Sequence, residues 1–295
     1  MLRPFLVLLG TLALGYLGVG LVVVLRMTSP RHRPPGAPGA TPTAAGLVYE
    51  DVELGSTDGV RLSGWWVPAE GSRRAALLVH GWGGDKSDEH ILATAPIYHG
   101  EGYNVLAIDL RAQGESEGRR RTLGFRETRD VLGALLWLQK RGYRPEDTVL
   151  HGWSMGGTTV VRAAPGTGIA AVVEEAGYAD LPLLLEGAIP RIARLPRFFV
   201  PGVLLAGRLW PDFDAWAVKP EREASRLWGE GVPLFVIHST GDGLIPVEHA
   251  KMFAAAHPDA RVWILQDHDH VEAFSHPEYE ERLRSFLRSV KNAGR

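Results

Sequence analysis

One short motif has the residues and spacing of an activated serine nucleophile. Residues 152–156 read GWSMG, a G-x-S-x-G motif that follows an apolar run and precedes an apolar helical pattern. This order of strand, motif and helix is the context in which a sharp turn exposes a serine hydroxyl at the end of a sheet. Glycines belong in such a turn because backbone segments approach each other too closely for side chains. Ser154 is therefore the predicted nucleophile.

A serine hydroxyl needs a histidine base, and the base needs a carboxylate that orients it. When the serine lies on a turn of this kind, the acid and then the histidine follow it along the chain. Asp242 follows the apolar run PLFVIHS, and His270 follows the last apolar run, so these are the predicted acid and base. His268 is the alternative base, and Glu174 and Glu175 are the alternative acids.

Two backbone N–H groups are predicted to stabilise the oxyanion that forms during acyl transfer. The segment HGWGG, residues 80–84, follows the apolar run AALLVH, and a glycine-rich turn there can aim the N–H of Trp82 at the oxyanion. The residue after the nucleophile, Met155, supplies the second donor. The same segment superficially resembles a phosphate-binding loop, but Asp85 replaces the glycine that must precede Lys-Ser and would repel phosphate.

We expect neither a metal nor an organic cofactor. The chain contains no cysteine, which excludes disulfides, thiolate metal sites and a cysteine nucleophile. His268 and His270 form a His-x-His pair beside aspartates, but no third ligand accompanies them at metal-binding spacing.

The composition indicates a globular protein that does not bind nucleic acid. The 295 residues are 45% hydrophobic and 22% charged, and 32 basic against 34 acidic residues leave a net charge of −2. Nucleic-acid-binding domains are strongly basic, so this balance argues against that class. The length suits one large domain or two ordinary ones.

From residue 46 onward, short apolar runs alternate with helical patterns. This alternation predicts an α/β fold with a mostly parallel central sheet and helices on both faces. The first two strands, joined by a turn, are expected to add an antiparallel edge. The predicted strands are Tyr49–Leu54, Arg61–Val67, Ala75–His80, Tyr103–Asp109, Val149–Trp153, Ala170–Glu174, Pro233–Ser239 and Arg261–Leu265. The predicted helices are Ile91–His99, Phe125–Lys140, Met155–Ala164, Val247–Ala256 and Glu278–Lys291.

Residues 181–230 interrupt the alternation with an apolar, proline-rich insertion. The prolines exclude one long helix. The insertion is either a packed crossover or a cap over the active site, and the two interpretations are compatible. As a cap it would bury an acyl chain against Leu184, Phe198 and Phe199.

The amino terminus is predicted to anchor the chain in a membrane. Phe5–Leu25 carries no charge and is long enough to cross a hydrocarbon core of about 30 Å. A cleaved signal peptide and a buried core helix are the alternatives. We assign residues 1–27 to the anchor, 28–45 to a semi-extended proline-rich linker that holds the domain clear of the membrane, and 46–295 to the catalytic domain. With the α-amino group counted, the positive charges on the two flanks differ by one, too small a bias to fix the side of the membrane.

Five segments together resemble the α/β-hydrolase superfamily, and within it the membrane-anchored, serine-aminopeptidase-like and monoacylglycerol-lipase-like branch. They are HGWGG, DLRAQGES, GWSMGG, HSTGDGLIP and HDHVEAF, and the resemblance covers nearly all of residues 46–295. The branch usually has histidine where this chain has Gln113, a position with a structural role there. The resemblance implies the α/β-hydrolase fold, with Ser154 as nucleophile, Asp242 as acid, His270 as base, and Trp82 and Met155 at the oxyanion positions.

The motifs and the resemblance lead to one expected function. We expect a serine hydrolase that cleaves carboxylic esters, acyl or lipid-derived, through an acyl-enzyme. A peptidase or amidase with the same triad is one alternative, and a catalytically silent, membrane-tethered binding protein is another. The expected partners are a small-molecule or lipid-derived ester and the membrane, and the oligomeric state stays open.

Overall fold

An eight-stranded sheet forms the centre of the protein in a computed structural model that describes residues 2–33, 39–211 and 213–293. The strands of the described residues are β1 Arg31–His32, β2 Glu50–Gly55, β3 Arg61–Val67, β4 Ala75–Val79, β5 Asn104–Ile108, β6 Gln113–Gly114, β7 Thr148–Trp153, β8 Ala171–Glu175, β9 Leu234–Ser239 and β10 Arg261–Leu265. The helices are α1 Leu2–Met27, α2 Glu89–Gly100, α3 Thr128–Lys140, α4 Met155–Ala163, α5 Leu181–Ile192, α6 Val200–Leu209, α7 Pro220–Gly229, α8 Glu248–Ala256 and α9 Tyr279–Ala293.

The sheet has the strand order β10-β9-β8-β7-β4-β5-β3-β2. The six strands from β10 to β5 are parallel, whereas β3 is antiparallel to β5 and β2 is antiparallel to β3. The predicted parallel sheet with an antiparallel edge is therefore confirmed. In this arrangement the carboxyl ends of β4, β7, β9 and β10 share one edge, which is where ligands bind in open α/β sheets.

Apolar cores lie on both faces of the sheet. Every residue of β4, β5, β7, β8 and β9 is buried, because helices cover both sides and leave no solvated face. Successive residues of a strand point to opposite faces, so Leu77 joins one core and Leu78 the other. The cores hold the sheet rigid beneath the loops that carry the site.

The insertion at residues 181–230 contains three helices with two different positions. Its last helix, α7, packs against α4 and α8 and serves as an ordinary crossover. Its first two helices, α5 and α6, pack against each other and form a cap. Prolines near the starts of α5, α6 and α7 define these separate helices. The crossover interpretation and the cap interpretation therefore apply to different parts of the insertion.

The amino-terminal helix α1 extends slightly beyond the predicted range. Arg3–Met27 is long and apolar enough to span a membrane, and it is the one such helix among the described residues. Of its most apolar stretch, 17% is buried. Its carboxyl-terminal half packs against α6 of the cap.

The structure differs from the expected free linker at residues 28–45. Arg31 and His32 form β1, which pairs in parallel with Gln113 and Gly114 of β6. Arg33 Nη1 donates to Ser87 Oγ at 2.8 Å, and a 3₁₀ turn at Pro42–Ala45 packs against α2. Hydrogen bonds at residues 31–33 and packing at residues 42–45 therefore hold these parts of the linker on the domain. The predicted linker residues 34–38 lie outside the described residues.

Candidate active site

Ser154 lies on a strained turn between β7 and α4. Its φ of 55° and ψ of −122° place a non-glycine residue in a left-handed region that side chains rarely adopt. A Cβ at Gly152 would collide with the backbone of Gly156, and a Cβ at Gly156 would collide with Val79 O. The two motif glycines are thus required by close backbone contacts. The turn leaves the Ser154 side chain at the carboxyl edge of the sheet.

The structure brings Ser154, His270 and Asp242 into one chain of hydrogen bonds. His270 Nε2 lies 2.8 Å from Ser154 Oγ, and His270 Nδ1 lies 2.7 Å from Asp242 Oδ2. An ionised carboxylate only accepts hydrogen bonds, so Nδ1 carries the imidazole proton and Nε2 accepts from the serine hydroxyl. This is the tautomer in which His270 can take the serine proton.

Asp242 is held in place by the loop after β9. Its Oδ1 accepts from the backbone N–H groups of Leu244 and Ile245, each at 2.8 Å. Burial raises the pKa of Asp242, but the hydrogen bond and charge of His270 and these two N–H groups outweigh burial and lower the pKa below its ordinary value. The carboxylate therefore stays ionised and can stabilise an imidazolium at His270.

The alternative base and acids lie elsewhere. His268 Nδ1 contacts Gln266 O at 2.7 Å, and its ring lies near His276 instead of Ser154. Glu174 Oε1 accepts from the Gly177 N–H. Glu175 Oε2 accepts from the Tyr279 hydroxyl at 3.0 Å. Neither glutamate contacts His270, so the geometry favours Asp242.

Glu174 and Glu175 are buried beneath the nucleophile, and burial raises the pKa of each to about 8. Near Glu175 lie the Tyr279 hydroxyl and His151, whose Nε2 is 3.7 Å from Glu175 Oε2. Burial also lowers the pKa of His151 well below its ordinary value. The neighbouring imidazole is therefore neutral and offers no positive charge to an ionised Glu175.

These raised pKa values predict a pH-dependent stability. Between pH 4.5 and about 8 the folded chain keeps the Glu175 proton that the unfolded chain releases, so the free energy of unfolding falls as pH rises through this window. Glu175→Gln needs no proton at this position. We therefore expect the difference in Tm between this variant and wild type to become more positive from pH 5 to pH 9. The gain in Tm should be about 3 °C or more, since ~1 kcal/mol corresponds to about 2–4 °C in a domain of this size. Thermal unfolding of the full chain in detergent at both pH values measures this gain in Tm.

Glu186→Gln, on the exposed surface of α5, is the control. If Glu175→Gln gained no more in Tm than Glu186→Gln, the prediction would be contradicted.

The predicted oxyanion residues lie on either side of Ser154. A Cβ built at Gly81 would lie 3.1 Å from the Cβ of Ser154, so the backbone leading into Trp82 passes against the nucleophile. Met155 is the first residue of α4, where backbone N–H groups have no acceptor within the helix. Gln113 is fully buried, and its Oε1 accepts from the Gly83 N–H. Gln113 stands where the branch that this chain resembles has histidine, and it thus supports the loop that carries the predicted oxyanion residue Trp82.

An apolar cavity of about 160 Å³ opens beside Ser154. It is comparable with a ~150 Å³ cavity that holds benzene, so about six carbon atoms fit inside. Trp82 and Met155 also line it. The cap contributes Leu181, Leu184, Leu185, Ala188, Ile189 and Ile192.

The prediction that Phe198 and Phe199 line this cavity is wrong, whereas Leu184 does line it. The two phenylalanines lie on a 3₁₀ turn between α5 and α6, after Pro196 has ended the preceding segment. The turn directs them away from Ser154, and both rings stack on Tyr16 of α1, with centroids at 6.0 and 5.5 Å. They connect the cap to α1 and do not contact the nucleophile.

The sequence analysis did not predict that α1 contributes two residues to the cavity wall. Val23 and Met27 of α1 line the same cavity as Ser154. The residues of α1 are apolar on all sides, so no contrast between faces indicates which side chains pack against the domain. The i, i+4 spacing of the two residues is the remaining signal, and it becomes informative only once α1 is known to contact the cap.

Comparison with known proteins shows which family and which relatives the chain is similar to. The alpha/beta hydrolase family matches residues 76–282, which include Ser154, Asp242 and His270. The uncharacterized protein YfhR of Escherichia coli K12 is 27% identical over 256 residues, or 82% of each chain. The lysophosphatidylserine lipase ABHD12 of Macaca fascicularis is 24% identical over 272 residues, covering 81% of this chain and 64% of that protein.

A solved structure supports the same family as the relatives found by sequence. The esterase Pf2001 of Pyrococcus furiosus superposes with a TM-score of 0.70 and 27% identity, covering 87% of this chain and 99% of that one. The structural similarity thus extends over most of this chain. With a family match that spans most of its length, this chain belongs to the alpha/beta hydrolase family.

Proposed function

We propose that this protein is a serine esterase that cleaves acyl or lipid-derived carboxylic esters through an acyl-enzyme. The observation that carries the proposal is the hydrogen-bonded series Ser154, His270 and Asp242 at the mouth of an apolar cavity. The esterase and lipase names among its relatives support the same reaction class.

The geometry supports a two-step mechanism. In the first step Ser154 Oγ attacks the ester carbonyl while His270 Nε2 takes its proton, and the tetrahedral oxyanion accepts hydrogen bonds from the N–H groups of Trp82 and Met155. His270 then protonates the departing alcohol. In the second step His270 removes a proton from water, which attacks the acyl-enzyme, and His270 then returns that proton to Ser154 Oγ as the bond to the acyl group breaks and the acid leaves. Asp242 holds the imidazole and stabilises its charged form throughout.

The lining of the cavity supports an acyl substrate over a sugar or a charged peptide. A wall of leucine, isoleucine and alanine offers no hydrogen bonds to polar groups, but it can bury methylenes at about 0.8 kcal/mol each. A cavity that holds about six carbons favours medium-chain acyl groups over acetyl.

A chain-length series tests this function. Octanoate adds six methylenes to acetate, and about four of them fit in a cavity that holds about six carbons. We expect kcat/KM for p-nitrophenyl esters to rise from acetate to octanoate by up to about 100-fold, since four buried methylenes contribute up to ~3 kcal/mol. The assay uses the full chain in detergent, with p-nitroanilides of the same acids as the amide comparison. Faster turnover of the anilides would favour an amidase. An absence of turnover, together with no labelling by a fluorophosphonate, would favour the silent binding protein.

We also propose that α1 anchors the enzyme in a membrane as a single-pass helix. Its segment before Tyr16 has about 14 residues and spans ~21 Å, which is less than the ~30 Å hydrocarbon core. An anchored α1 therefore brings the adjoining outer end of the cap to the level of the lipid. Phe198 is 62% exposed there, and contact with lipid accounts for this exposed apolar surface.

Extraction experiments test the anchor. Carbonate and high salt remove proteins that are held by surface charge, whereas a spanning helix leaves the bilayer only with detergent. We expect the intact chain to stay in the membrane pellet after both washes and to dissolve in detergent. Recovery of the intact chain in the carbonate supernatant would contradict the anchor. Recovery of a chain that lacks α1 would instead indicate a cleaved signal peptide.

A further inference from the structure

The second half of α1 is built into the catalytic domain. Val24 is fully buried, and a Cβ at Gly20 would lie 2.6 Å from Gly202 O, so the two helices cross in close contact. The Tyr16 hydroxyl donates to Phe198 O at 2.5 Å and accepts from the Gly202 N–H at 3.0 Å. Small residues at a helix crossing allow this approach, and the hydrogen bonds fix the position of α1 along α6.

One face of this half-helix reaches the candidate active site. Val23 and Met27 are four residues apart, so their side chains lie one above the other on the same face of α1. Both line the cavity that contains Ser154. The Met27 carbonyl accepts from Trp82 Nε1 at 3.0 Å, which ties the end of α1 directly to the predicted oxyanion loop.

The adjacent residue Val22 has a different environment. Its side chain is 50% exposed and does not line the cavity, whereas Val23 is 9% exposed. The two neighbouring valines therefore lie on different faces of α1: Val23 on the face that lines the cavity, and Val22 on the outer face. This pair allows one substitution to be compared at two positions of the same helix.

From these contacts we propose that α1 is part of the acyl-binding site. Val23 and Met27 contact the acyl chain of the ester, together with Leu184 and Leu185 of α5. The helix that anchors the protein thereby also sets the length of acyl chain that the enzyme accepts. This inference rests on the proposed esterase function and adds two specificity-determining residues to it.

The test compares Val23→Trp with Val22→Trp in the full chain, purified in detergent. An indole at position 23 takes up space in a cavity that holds only about six carbons. We expect Val23→Trp to lower the ratio of kcat/KM for p-nitrophenyl octanoate to that for acetate by about tenfold or more. We expect Val22→Trp to leave both values unchanged. A short-chain fluorophosphonate measures, in each variant, whether the nucleophile remains functional.

Val23→Ala provides the opposite change and covers the case in which the tryptophan variant fails to fold. It enlarges the cavity by about two carbons, so the ratio of kcat/KM for octanoate to that for hexanoate should rise by about two- to fivefold. Labelled variants whose chain-length ratios equal those of wild type would overturn the inference while leaving the esterase function intact. A wild-type chain that neither turns over esters nor reacts with the fluorophosphonate would overturn the proposed function, and this inference with it.

Discussion

Ser154→Ala should abolish both ester hydrolysis and labelling by a fluorophosphonate. The substitution removes the oxygen that forms the acyl-enzyme, and no second hydroxyl lies within reach of His270 Nε2 among the described contacts. We expect kcat to fall by about 10⁴-fold or more, the scale seen when a member of a serine triad is removed. The measurement is a p-nitrophenyl octanoate assay of wild type and variant at equal concentration of folded protein.

Thr158 provides a control for Ser154→Ala. It lies in α4, and its hydroxyl donates to Tyr178 O at 2.8 Å instead of facing His270. Thr158→Ser keeps this hydroxyl group and should retain labelling and turnover near wild-type values. Ester hydrolysis by Ser154→Ala within tenfold of wild type, or a fluorophosphonate adduct on another residue, would remove Ser154 from the mechanism.

Asp242→Asn should lower kcat by about 10⁴-fold while leaving the protein folded. An asparagine amide can donate to His270 Nδ1, which favours the tautomer with the proton on Nε2. That nitrogen then donates to Ser154 Oγ and cannot accept its proton. Because the defect concerns proton transfer, we expect KM to change far less than kcat.

Asp259→Asn is the matched control for Asp242→Asn. Asp259 accepts from Trp228 Nε1 at 2.9 Å and precedes β10, so it lies toward the opposite edge of the sheet from His270. We expect this control to retain activity near the wild-type level. If Asp242→Asn also remained active, the acid would have to be sought elsewhere, with Glu174→Gln as the next variant to measure.

The edge of the sheet that carries the candidate active site was predictable because topology constrains it. Ser154, Asp242 and His270 each follow an apolar run, and the carboxyl ends of parallel strands meet at one edge. Positions distant in sequence are therefore adjacent once the sheet is assumed. The apolar runs themselves stand out because these strands are buried on both faces.

The cap, the linker and α1 were less predictable, for physical reasons. Prolines divide residues 181–230 into separate helices, and the sequence does not indicate how these helices are rotated relative to one another, so Phe198 and Phe199 were placed in the wrong environment. The two-residue strand Arg31–His32 has no hydrophobic alternation and depends on a distant partner. In α1 every face is apolar, so the face that packs on the domain has no distinguishing pattern.

The pairing of β1 with β6 limits how far the rest of the domain can move from α1. A flexible tether of 18 residues would let the domain range over about 25 Å above its anchor. Here Arg31, only four residues beyond the end of α1, is already hydrogen-bonded to the domain, and Arg33 follows it. If α1 spans the bilayer, the domain cannot move away from the membrane surface as it could on a flexible linker. Lipid-derived esters must then reach it by lateral diffusion within its own leaflet, and esters in an apposed membrane stay beyond its reach.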